Sequence, residues 1–104
     1  MCGIIGYVGS DINSGVILLE GIRRLEYRGY DSAGVATLQH NEFSIRKGVG
    51  KIDEVNENVH FEQMQGNIGI AHTRWSTHGA PTKENSHPHI SNDGKITLVH
   101  NGII

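Results

Sequence analysis

The stretch from Cys2 to Val8 (CGIIGYV) is mostly apolar and predicts a buried strand interrupted by Gly3 and Gly6. Glycine inside a strand marks a close approach by another backbone or by a ligand. A turn follows over Gly9 to Asn13. Leu18, Leu19, Ile22 and Leu25 then fall on one stripe at helical spacing. They predict a helix from about Ser14 to Tyr27, with Asn13 or Ser14 capping its start and Gly29 ending it. Ala33 to Leu38 and Phe43 to Lys47 read as paired strands around the polar turn Gln39 to Glu42. A short helix is expected over Lys51 to Val59, and a strand over Asn67 to Thr73 with Ile68 and Ile70 on one face. A long polar loop, Trp75 to Ile90, holds both prolines. Ser91-Asn92-Asp93-Gly94 is a turn signal, and Lys95 to His100 reads as a last strand. The chain stops on the apolar Asn101-Gly102-Ile103-Ile104 directly after a strand, so it is expected to be a fragment of something longer.

Composition narrows the classes. A chain of 104 residues suits one small domain. Nine basic against 11 acidic residues leave a net charge of −2, with no basic field for nucleic acid. The longest apolar run, Val16 to Leu19, is far too short to span a bilayer. The first residues lack the features of an export signal, so a cytoplasmic location is expected. Glycine occurs 14 times, about twice its usual share, which predicts tight turns and close backbone contacts. The single cysteine forbids an internal disulfide and a cysteine-rich zinc site.

That cysteine sits at position 2. As a small apolar residue it could simply begin a strand. Removal of Met1 would instead make it an N-terminal nucleophile whose own α-amine serves as the base for its thiol. His72-Thr73-Arg74-Trp75-Ser76-Thr77-His78-Gly79 starts on a predicted strand and enters a loop, a junction that presents side chains to a cleft. Arg74 suits a carboxylate, which it can hold through two parallel hydrogen bonds; stacking on Trp75 is the plainer alternative. Asn101-Gly102 fits a type I′ hairpin turn, and equally an oxyanion hole made of an amide and a backbone N–H. His87 and His89, with His72, His78 and His100, invite a metal reading, yet no spacing matches a standard zinc motif, and no metal site is expected.

Four motifs together resemble the class II glutamine amidotransferases: CGIIG from Cys2 to Gly6, LEYRGYDSAG from Leu25 to Gly34, HTRWSTHG from His72 to Gly79, and HNG from His100 to Gly102. Their order and spacing agree along the whole chain. EYRGYDSAG, Trp75 and His78 are similar to the branch that aminates a sugar phosphate. The amidophosphoribosyltransferase branch shares Cys2, Arg74 and the Asn-Gly pair but usually reads HRGQESAG in place of YRGYDSAG.

The resemblance implies an α+β N-terminal-nucleophile hydrolase fold, a four-layer α/β/β/α sandwich with antiparallel sheets. Only its N-terminal part would lie in residues 1–104. It implies Cys2, Asn101 and Gly102 as catalytic, and Arg74, Thr77 and His78 as binding L-glutamine. Trp75 and Arg28 would gate and couple ammonia transfer. Fructose 6-phosphate would be bound by isomerase domains beyond Ile104, in a homodimer, with no cofactor. The rival expectations are a glutaminase serving another acceptor enzyme and a non-catalytic fragment.

Overall fold

The computed structural model describes residues 3–25, 31–74, 83–84 and 86–100. Its frame is a four-stranded antiparallel sheet in the order β1-β4-β2-β3. The strands are β1 (Gly3–Val8), β2 (Ser32–Gln39), β3 (Glu42–Val49) and β4 (Ile68–Arg74). Gly3 pairs with Thr73 and Ile5 with Ala71 in β1–β4. Gly34 pairs with His72 and Val35 with Ala71 in β2–β4. Period-two alternation divides the sheet into two faces.

The first face, with Ile5, Ala33, Val35 and Ala71, is covered by α1 (Ser14–Arg24) and α2 (Ile52–Val59). Leu18, Leu19 and Ile22 of α1 and Ile52 and Val55 of α2 complete this core. Phe61 and Met64 join it from a 3-10 turn, Phe61–Gln63, that the hydrophobic pattern did not announce. Arg46 on β3 anchors the end of α2 by donating to the carbonyls of Val59 (2.6 Å) and His60 (2.9 Å). This satisfies acceptors that a helix C-terminus leaves open.

The second face, with Ile4, Gly34, Lys47, Ile70 and His72, carries a two-stranded ladder of β5 (His89–Ile90) and β6 (Thr97–Leu98). Thr97 lies over Ala36, Phe43 and Ile70 across an apolar cleft.

Several expectations need correcting at their edges. Asn13 occupies the start of α1 but makes no capping bond with its side chain. The Gly15 N–H donates instead to the Met64 carbonyl, at 3.0 Å. The end of the predicted polar loop is strand β5, and the last strand is two residues long. Its neighbours are diverted into the turn: Lys95 N–H donates to Asp93 Oδ1 and Ile96 N–H to Ser91 Oγ. The stop at Gly29 lies outside the described residues.

Candidate functional site

Arg74, half-buried, ends β4 at the same end of the sheet from which the chain enters β1. The pairing of Gly3 with Thr73 sets the two strand ends side by side. Gly3 lacks a side chain where one is not accommodated: a Cβ there would overlap Leu25 and press on Thr73 Oγ1. β2 begins at this end too. Asp31 N–H donates to the Arg74 carbonyl at 2.7 Å, and the Asp31 carbonyl accepts from Gly50 N–H at 2.9 Å. Asp31 of the LEYRGYDSAG motif is thereby tied to the end of HTR.

Beside Arg74, on the second face, lies a cluster of imidazoles. His72 is buried in β4 and stacks on His87, with ring centroids 4.3 Å apart and planes 24° from parallel. His87 in turn meets His89 at 4.4 Å. The His87 backbone rests on Gly34, where a Cβ would overlap the His87 carbonyl oxygen. Lys47 reaches across to donate to the carbonyls of Ser86 (2.8 Å) and Pro88 (3.0 Å). His87 Nδ1 accepts the backbone N–H of His100 at 3.1 Å.

Burial, then the charges of His72, His89, Arg74 and Lys47, push His87 from its ordinary 6.5 down to about 4. His89 is lowered by burial, Lys47 and Arg74. Burial and the nearby Lys83 ammonium lower Lys47, against the opposing pull of Glu84. All three groups lose their charge more readily here than in water. Among the described residues no group of histidines and acids is arranged to hold a metal ion. Of the histidines singled out for that purpose, His72 and His87 stack and His89 lies tilted against His87, while His78 lies outside the described residues.

Of the candidates, the structure describes Arg74 together with the residues flanking Cys2 and Asn101, namely Gly3 and His100. Cys2, Arg28, Trp75, Thr77, His78, Asn101 and Gly102 lie outside the described residues. The strap formed by Lys47, Gly34 and His87 was missed as a unit. The visible sign was a lysine and a glycine in adjacent strands, which says nothing of a loop crossing over them.

No protein-family model matches the chain. Over all 104 residues it is 59% identical to a glutamine–fructose-6-phosphate aminotransferase (isomerizing) of Pyrococcus horikoshii. It is 56% identical to that of Caldanaerobacter subterraneus and 51% to that of Staphylococcus aureus. The chain spans 17% of the length of these curated relatives. Among solved structures, glutamine phosphoribosylpyrophosphate amidotransferase from B. subtilis matches with a TM-score of 0.73 at 26% identity, over 89% of this chain and 20% of that one. A structure described as the allosteric regulatory enzyme of purine biosynthesis matches at 0.75 and 27%, with the same coverage. No helix among the described residues is long and apolar enough to cross a membrane. The chain is therefore similar along its whole length to part of the glutamine–fructose-6-phosphate aminotransferases, and its fold is part of the class II glutamine amidotransferase fold, of the N-terminal-nucleophile type.

Proposed function

We propose that this chain is the N-terminal part of a glutaminase domain that releases ammonia from L-glutamine for the amination of fructose 6-phosphate to glucosamine 6-phosphate. The observation that carries the reading is the β1–β4 ladder, which sets the strand entered from Cys2 beside the strand that ends at Arg74. The names of the relatives support the acceptor, since they favour a sugar phosphate over a phosphoribosyl group.

Once Met1 is removed, the Cys2 α-amine takes the thiol proton and the thiolate attacks the side-chain amide carbon of glutamine. The unperturbed ranges of a thiol and an α-amine lie close together, so such a proton transfer costs little in general. The Asn101 amide and the Gly102 N–H stabilise the developing oxyanion, each donor being worth about 3–4 kcal/mol in comparable sites. The C–N bond breaks, the proton passes to the leaving nitrogen, and ammonia departs from a γ-glutamyl thioester. Water then cleaves the thioester to glutamate and regenerates the thiol. Arg74 holds the substrate α-carboxylate, and Thr77 and His78 line the glutamine site. Trp75 and Arg28 guide ammonia toward the acceptor, which binds in the remainder of a cytoplasmic homodimer.

Cys2→Ala in the intact protein that carries this sequence tests the reading. Glutamine hydrolysis should fall by at least about a thousandfold, while amination driven by free ammonia survives. Hydrolysis of glutamine at the normal rate in that variant would refute it.

A further inference from the structure

The His87 ring has contacts on two sides that concern different parts of the proposed site. On one side it stacks on His72, two residues before Arg74 in β4. On the other its Nδ1 accepts the N–H of His100, the residue before Asn101. Neither contact is left to a free loop. Lys47 binds the carbonyls on both sides of His87, and Gly34 provides the flat floor on which its backbone lies. The charged and titratable groups facing the ring are His72 and Arg74 from β4, Lys47 from β3 and His89 from β5. Among the described residues none of these is an acid that would favour a protonated ring, and a neutral ring is what an accepting Nδ1 requires.

We propose that His87 is a positioning residue for glutamine hydrolysis: seated on His72, it fixes through the His100 N–H the backbone that leads into Asn101 and Gly102, and so ties the oxyanion donors to the strand that presents Arg74. The inference rests on the reading of Asn101 and Gly102 as oxyanion donors. Such donors act only when aimed at the oxygen of the tetrahedral state, so loosening them should cost kcat far more than KM.

The test compares three variants of the intact protein. His87→Leu fills the space but cannot accept a hydrogen bond. His87→Asn places an amide oxygen near the position of Nδ1, and His87→Gln places it one carbon further out. The Leu and Gln variants should lose about 10- to 100-fold in kcat for glutamine hydrolysis, the scale of a misplacement of about an ångström. Their KM should stay within about threefold of wild type, and Asn should restore kcat to within about threefold. A wild-type kcat in His87→Leu overturns the proposal. If the Leu variant fails to fold, Asn and Gln variants of matched melting temperature decide: higher kcat in Asn supports the role, and equal kcat sinks it. Cys2→Ala assayed alongside separates the two failures. Hydrolysis persisting there removes the glutaminase reading itself, whereas its loss there with normal turnover in His87→Leu removes only the positioning role.

Discussion

Lys47 illustrates how a surface-compatible residue becomes structural. Its stem crosses the second sheet face and its ammonium binds the carbonyls of Ser86 and Pro88, both residues being buried. Lys47→Met keeps the stem and removes both donations. Leaving buried acceptors unmet costs about 1–3 kcal/mol, so the melting temperature of the intact protein should fall by several degrees. An unchanged melting curve would mean that water replaces the ammonium at no cost. Function at this scale was partly legible. Cys2, Arg74 and the Asn101-Gly102 pair stand out by residue type and chain position, and the structure sets Gly3, next to Cys2, beside the strand that ends at Arg74. His87 did not. Its role depends on a ring stacked on β4 and on a bond to His100, and spacing along the chain encodes neither; in the sequence it suggested only a metal ligand.

Elements were legible where a single local cause creates them. The β2–β3 hairpin is one: Gln39 pairs with Glu42, and His40 and Asn41 between them both take positive φ, 52° and 63°, as a two-residue hairpin loop demands. Elements were misjudged where a distant partner decides. The expected strand Lys95 to His100 shrinks to Thr97–Leu98 because turn side chains claim its first N–H groups and the His87 ring claims its last. The start of α1 likewise depends on a segment almost fifty residues downstream. Gly15 lies so close to the Phe61 and Met64 carbonyls that an added Cβ would overlap both. Gly15→Ala, which would favour a helix in isolation, should therefore destabilise the fold by about 1–3 kcal/mol through overpacking. Thermal denaturation checks it, and a rise in melting temperature would show that the 3-10 turn yields.

For the molecule as a whole, the imidazole cluster makes acid a specific threat. His87 titrates near 4 when folded and near 6.5 when unfolded, and His89 is shifted in the same direction. Between those values the unfolded chain binds more protons than the folded one. Stability therefore falls as pH drops from about 6.5 to about 4, with no further loss from His87 below that. The exposed carboxylates of Glu62 and Asp93 are lowered instead, so their contribution disappears at more acidic pH. Melting temperatures at pH 7 and pH 5 should differ more in wild type than in His87→Asn. Equal differences would take His87 out of the acid response.

The strand order β1-β4-β2-β3 also governs when the protein can come into being. Of the described strands β1 leaves the ribosome first, yet its sole neighbour among them is β4. β2 and β3, joined by two residues, can pair as soon as both have emerged. β4 then has to dock against β2 and accept β1 along its other edge, a closure between distant parts of the chain and thus an inherently slow one. β1 therefore stays without its partner strand until β4 has been made.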